Sequence, residues 1–211
     1  MSGSSSGKIN RLISSLDGCY GEIAWWPGYP DEVMIGAVLT QQTRWENVER
    51  ALINLKKREL CSIDAIFQGD IHEIEDAIRC TGFYRIKAQR LKSLAACIVE
   101  IFGGVGKMAD IPTGQLRAGL LDVSGIGKET ADSILCYGLD RTSFVIDAYT
   151  DRIVRCIGVP EKKQDLKSLF EKNLPKDNHS YRQVHAHIVE YAKEYCGKKR
   201  CEECILLSSN E

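Results

Sequence analysis

The chain has 211 residues, 44% of them hydrophobic and 27% charged, with a net charge of −1. That length holds ample core for one large domain or two small lobes, and no apolar run is long enough to span a bilayer. The nine cysteines are mostly scattered singly. This is reduced-compartment usage, not a disulfide framework, and with no secretory leader visible the expectation is a cytoplasmic protein.

Met1–Gly7 reads as a flexible leader. Ile9 to Leu16 has amphipathic helical spacing, whereas Pro27 and Pro30 exclude regular structure from Ile23 to Pro30. A nearly all-apolar helix follows from Pro30 to about Thr40, interrupted by Gln41-Gln-Thr-Arg-Trp45. Helical spacing resumes over 47–57, 63–67 and 71–78, with Asp64 and Asp70 near two of the starts. Gly82 is a left-handed turn position, and the longest helix runs from Arg85 to Phe102. Its run Arg85, Lys87, Arg90 and Lys92 is either a phosphate-binding face or a solvated one.

The segment Leu121–Leu135 reads as a helix end, a glycine hairpin and a second helix. Gly125 and Gly127 permit φ > 0 and leave no Cβ in the way of an anion. The N–H groups that open the next helix, with Lys128 and Thr130 beside them, form a phosphate site. A plain αα turn is the alternative. Phe144–Asp147 is a short extended run, with Asp147 directly before the helix Ala148–Gly158. Helices over 163–173 and 179–196 follow, and no strand exceeds about four residues, so the chain reads as all-α with roughly ten helices.

Taken together, Gln41-Gln-Thr43, Gly82-Phe-Tyr-x-x-Lys-Ala-x-x-Leu91, Gly125-Ile-Gly-Lys-Glu-Thr-Ala-Asp-x-Ile-Leu135, Val145-Ile-Asp-Ala-Tyr149 and His185-Ala-His-Ile-Val-Glu190 resemble the endonuclease III-like, helix-hairpin-helix superfamily of DNA glycosylases. Ala24-Trp-Trp-Pro27, Gly36-Ala-Val-Leu-Thr-Gln41 and Gly125-Ile-Gly-Lys-Glu129 are most similar to its monofunctional 3-methyladenine branch. The resemblance implies a two-lobed helical fold with the active site between the lobes. Residues 8–29 and 108–211 form one discontinuous lobe, residues 30–107 the other, and hairpin 121–135 joins them. The implied partner is double-stranded DNA carrying a damaged base, bound by a monomer, nucleoid-associated if prokaryotic, with no membrane role.

The chemistry follows from the same residues. Breaking an N-glycosidic bond builds oxocarbenium-like charge on the sugar, which a fixed carboxylate stabilises. Asp147 stands at the family's catalytic position, eighteen residues after Glu129; as an isolated residue it would be a helix cap, and the two roles are compatible. Where bifunctional relatives carry an imine-forming lysine, this chain has Glu129, which implies hydrolysis without lyase activity. The target base must leave the duplex. The resemblance gives the gap-filling role to an amide at Gln41-Gln42, and the base pocket to Trp25, Trp26, Pro27 and Trp45, with Lys193 near it. Core filling is the alternative for the tryptophans, and a solvated helix face for Lys193.

Cys196-x4-Cys201-x2-Cys204 is similar to the family's iron–sulfur loop, which needs four thiolates; here no fourth cysteine follows. An eroded loop, a [4Fe–4S] cluster completed from elsewhere (Cys19 for instance), and a zinc site are all open, and the reaction itself needs no cofactor. Within the class, a mismatch uracil or thymine glycosylase or another endonuclease III-like enzyme is the alternative. Outside it stand a damaged-DNA-binding module without catalysis and a helical scaffold.

Overall fold

A computed structural model of the protein describes residues 4–26 and 28–208. Helix makes up 72% of it, and the described residues contain no strand. The helices are α1 (Ser5–Tyr20), α2 (Pro30–Leu39), α3 (Trp45–Lys57), α4 (Ile63–Gln68), α5 (Ile71–Ile78), α6 (Tyr84–Ala96), α7 (Thr113–Asp122), α8 (Lys128–Ser133), α9 (Ala148–Cys156), α10 (Lys163–Asn173), α11 (Asn178–Tyr191) and α12 (Ile205–Ser208). No helix among the described residues is long and apolar enough to cross a membrane.

Local sequence explains several starts. Ser62 caps α4 by accepting from the Ala65 N–H, Asp70 caps α5 through the N–H groups of His72 and Glu73, and Asp177 caps α11 through that of Ser180. Pro30 opens α2, where its missing N–H costs nothing. Part of the expected leader is ordered: Ser4 caps α1, accepting from the Gly7 N–H at 3.2 Å, and 1–3 lie outside the described residues. Three helices run on into π turns, Cys97–Ile101 after α6, Ile134–Gly138 after α8 and Ala192–Cys196 after α11. Gly82 has φ +67°, but the left-handed residue proper is Phe83.

The chain forms two compact units, Met1–Trp25 with Thr142–Glu211, and Trp26–Arg141. The first is built on Ile9, Leu12 and Leu16 of α1 together with Phe144, Ile153, Phe170, Tyr181 and Ile188, all buried; Phe144 and Phe170 stack at 4.4 Å. The second centres on α2, whose residues from Val33 to Leu39 are all buried. The boundary at Arg141 differs from the one expected after residue 107. The reason is apolar: Leu116 and Leu120 of α7 and Ala131, Ile134 and Leu135 of the hairpin's second arm share one core with Met34, Val38 and Leu39. The hairpin therefore belongs wholly to the second unit.

The basic run on α6 is neither a phosphate-binding nor a solvated face, because three of its cations turn inward. Lys87, 2% exposed, donates to the carbonyls of Leu39 and Thr81, each at 2.9 Å. Lys92 donates to Phe67 and Gly69, and Arg90 to the Gln41 side chain. Burial pushes the Lys87 ammonium down to about 8, with the Arg90 charge adding to the effect. In the unfolded chain that amine holds its proton up to about 10.5. Between these values the unfolded state binds more protons, so Lys87 makes stability rise with pH. Relative to Lys87→Met, the wild-type protein should therefore gain thermal stability from pH 8 to pH 10, which calorimetry can follow. The neutral amine still donates to both carbonyls, so the gain carries no hydrogen-bond loss.

Candidate active site

In the hairpin, Val123 leaves α7, the Ile126 N–H donates back to the Val123 carbonyl at 3.0 Å, and Gly127 caps α8. Only Gly125 has a positive φ, +83°, and a Cβ there would strike the Arg90 side chain. Gly127 is extended at φ −86°, and a Cβ on it would meet nothing within 4 Å. The protein itself thus demands glycine at 125, while the open space over 127 is room for an approaching group. Lys128 and Glu129 are exposed at the start of α8. Thr130 is buried, and its Oγ1 accepts from Gln41 Nε2 at 3.1 Å; the same Nε2 donates to the Gly125 carbonyl at 3.1 Å.

Gln41 is thus fixed between Arg90 and the hairpin, whereas Gln42 is exposed with φ +54°. Of the two amides expected at this corner, only Gln42 projects from the surface. Further into α8, Arg117 grips Asp132 with two hydrogen bonds, 2.8 and 3.1 Å, tying α7 to α8 across the hairpin.

The tryptophans fall on either side of the unit boundary. Trp26, with φ +51°, packs edge-on to Trp45 at 5.4 Å and tilted on Tyr137 at 5.6 Å. Its indole lies against Gly36, where a Cβ would come within 3.1 Å. The Trp26 Nε1–H is buried without a hydrogen-bond acceptor. Such an orphaned donor is rare in a folded chain. Trp25 belongs to the other unit, where Lys193 sits 4.7 Å above its ring and also pairs with Glu190 at 2.9 Å. Pro27 lies outside the described residues.

Asp147 is 9% exposed and caps α9: its Oδ1 accepts from the Thr150 N–H at 2.7 Å and from Thr150 Oγ1 at 2.8 Å. Its Oδ2 lies 3.5 Å from Nε2 of buried His185 on α11. Desolvation raises the carboxyl's affinity for its proton, but His185 and the two Thr150 donors outweigh it, and Asp147 stays below the usual carboxylate range. A buried carboxylate with one oxygen fully engaged and held ionised is a preorganised negative charge. Thr150 and His185 are the members of this site that sequence spacing alone does not pick out; the late His-Ala-His run was its only trace.

Cys196, Cys201 and Cys204 line one pocket in the first unit, along with Ile153, Tyr191, Tyr195, Leu206 and a cysteine from α9, Cys156. Tyr191 donates to Cys204 Sγ at 3.2 Å. Burial pushes the Cys196 thiol above its ordinary range, with Cys156, Cys204 and Cys201 adding and Arg152 opposing. Among the described residues no three potential ligands converge at metal-binding distance.

Residues 35–176 match the HhH-GPD superfamily of base excision DNA repair proteins, and the chain belongs to that superfamily. It is a DNA glycosylase of the endonuclease III-like type. A Methanocaldococcus jannaschii protein, provisionally named a DNA repair glycosylase, is 49% identical over 93% of this chain and 92% of its own. Endonuclease III of Thermotoga maritima is 27% identical over 84% of this chain and 80% of its own. Among solved structures, the Helicobacter pylori 3-methyladenine DNA glycosylase bound to 1,N6-ethenoadenine superposes with a TM-score of 0.78 at 31% identity, covering 90% of this chain and 98% of that one.

Proposed function

We propose that the protein hydrolyses the N-glycosidic bond of an alkylated purine, of the 3-methyladenine type, and leaves the abasic strand uncut. The observation that carries the substrate reading is the Trp26–Trp45–Tyr137 cluster, an electron-rich aromatic group that includes the buried, unpartnered Trp26 indole N–H. A methylated purine is cationic and electron-poor, so it gains from such a surface by the attraction that draws a cation to a ring face. Its glycosidic bond is already weak, so it needs little acid assistance, and few donors suffice. The relative solved with 1,N6-ethenoadenine supports a purine. Trp25, with Lys193 4.7 Å above its ring, is the other aromatic assigned to the base from sequence.

In this mechanism the base leaves the duplex and Gln42 enters the gap. The α8 N-terminus, with Gly125, Gly127, Lys128 and the Thr130 N–H, holds the backbone phosphate. As the C1′–N bond breaks, the cationic base takes the bonding pair and leaves neutral; Asp147 Oδ2 faces the developing sugar cation and orients the attacking water, whose oxygen bonds the anomeric carbon while its surplus proton passes to solvent. Thr150 and His185 are positioning residues that keep this carboxylate ionised and in place. No cofactor enters a step.

Glu129 has no amine with which to form an imine. Borohydride added during turnover should therefore trap no protein–DNA adduct, and Glu129→Lys should create one; adduct formation by the wild-type chain would remove the monofunctional reading. The substrate is tested by base release from duplexes carrying 3-methyladenine, 1,N6-ethenoadenine, 8-oxoguanine, uracil opposite guanine and oxidised pyrimidines. Alkylated purines should be released at least about tenfold faster than the rest. Preference for uracil or an oxidised pyrimidine would overturn the assignment.

A further inference from the structure

We infer that Lys167 and Glu171 of α10 are positioning residues for Asp147: their ion pair clamps both backbone polar groups of Phe144 and so fixes the extended segment that delivers the carboxylate. From Ser143 to Asp147 the chain is neither helix nor strand, and Ser143, Phe144, Val145 and Ile146 are all buried. Buried backbone N–H and C=O groups must find partners. At Phe144 they find them on α10. The N–H donates to Glu171 Oε1 at 3.0 Å, and the carbonyl accepts from Lys167 Nζ at 3.0 Å. The ammonium also donates to Ser143 Oγ at 2.7 Å and pairs with Glu171 at 2.9 Å. The two side chains are one helical turn apart, so α10 presents a donor and an acceptor together, in the place of a neighbouring strand.

The side chain of the same residue is held as well. The Phe144 ring stacks on Phe170 of α10 at 4.4 Å and meets His185 edge-on at 6.3 Å. His185 Nε2 in turn lies 3.5 Å from Asp147 Oδ2. α10 therefore reaches the carboxylate by two routes, along the chain and through the ring that backs His185. Only Val145 and Ile146 separate Phe144 from Asp147, and both are buried, so a shift at Phe144 is passed on. Thr150 holds Asp147 to its own helix, α9, and the clamp holds the entry to that helix against α10. A misplacement of about 1 Å at a reacting centre can cost about 10²-fold in rate, which is what such a brace prevents. The inference rests on the reading of Asp147 as the carboxylate that faces the sugar, and it is indifferent to which base is removed.

The test exchanges the pair in the full-length protein. Lys167→Glu combined with Glu171→Lys keeps an ion pair on α10, in the order a helix favours, but sets a carboxylate against the Phe144 carbonyl and an ammonium against its N–H. A pair that only stabilises α10 tolerates the exchange, and a clamp that reads backbone polarity does not. Single-turnover base release, from a methylated duplex or whichever duplex of the lesion panel the wild type processes fastest, should fall at least about tenfold. The Kd for a duplex carrying an abasic-site analogue should stay within about threefold, since the loss is in chemistry and not in binding. In the DNA-free protein the Asp147 carboxyl, followed by NMR, should titrate higher than in the wild type as the His185 contact loosens. Should the exchanged protein fail to fold, single variants decide. Glu171→Leu removes the acceptor and should lose at least about tenfold, whereas Glu171→Gln still accepts from the Phe144 N–H and should lose no more than about threefold. An exchanged protein with wild-type rate or an unmoved Asp147 titration, or equal rates in folded Glu171→Leu and Glu171→Gln, would overturn the proposal. Full activity in Asp147→Asn would instead remove the catalytic reading, and the titration alone would then decide the clamp.

Discussion

Asp147→Asn should lower single-turnover base release by about 10²–10³-fold while leaving the fold intact. The substitution separates the two roles that meet in this side chain. An asparagine carbonyl accepts from the Thr150 N–H and hydroxyl much as Oδ1 does now. Asparagine is as good a cap as aspartate, so stability should change by no more than about 1 kcal/mol. What disappears is the negative charge facing the sugar cation. Asp147→Ala would lose cap and charge together and could not tell a catalytic residue from a structural one. A rate unchanged by Asp147→Asn would reduce the residue to its capping role.

The pH dependence has a definite sign. The folded Asp147 carboxyl titrates below its ordinary value, so its contribution to stability is complete above the unfolded value near 3.8 and is lost as pH falls through the lower folded value. Base release should accordingly show no loss assignable to this group from neutrality down to about pH 4.

Arg117→Ala should destabilise the protein by about 3 kcal/mol, measured by urea unfolding. Asp132 is only 3% exposed on its side chain, and Arg117 meets both its oxygens in a fork geometry that lysine cannot reproduce. Removing the guanidinium leaves a buried carboxylate without its two charge-assisted donors, and that costs far more than losing a surface pair. The pair braces α7 against α8, so the hairpin that presents Gly125 and Gly127 should loosen with it. A cost under about 1 kcal/mol would mean that the rest of the environment carries the Asp132 charge.

The sequence is legible wherever a residue acts on its own neighbours. The caps at Asp70 and Asp147, the proline start of α2 and the turn at Gly125 are local, and spacing reveals them. It fails where a side chain reaches across the chain. Lys87 looks like one charge in an exposed run, yet its ammonium meets the carbonyl of Leu39, 48 residues away. From sequence, α7 falls in the lobe that starts at residue 108 and the hairpin is a joint between lobes, and only packing shows that their apolar residues share the core of α2.

The candidate site divides the same way. Asp147 was visible by motif, but His185 lies on a helix far along the chain, and helical periodicity cannot tell a histidine facing a carboxylate from a core filler. Gln41 and Gln42 are neighbours in sequence with opposite fates, set by a left-handed backbone at Gln42 and by the distant Arg90 side chain. Cys156 sits in an unremarkable helical stretch, and only the folded chain brings it beside the tail cysteines.

The central claim is hydrolytic removal of an alkylated purine at a carboxylate centre. It is tested most directly by incubating the purified protein with a methylated duplex and measuring, in one reaction, the free base released and the strand breaks present before and after alkali. Free 3-methyladenine should accumulate in step with breaks that appear only after alkali, and both should fail together in Asp147→Asn. Breaks that form with base release before alkali, or a methylated duplex left unprocessed by a protein that binds it, would contradict the account.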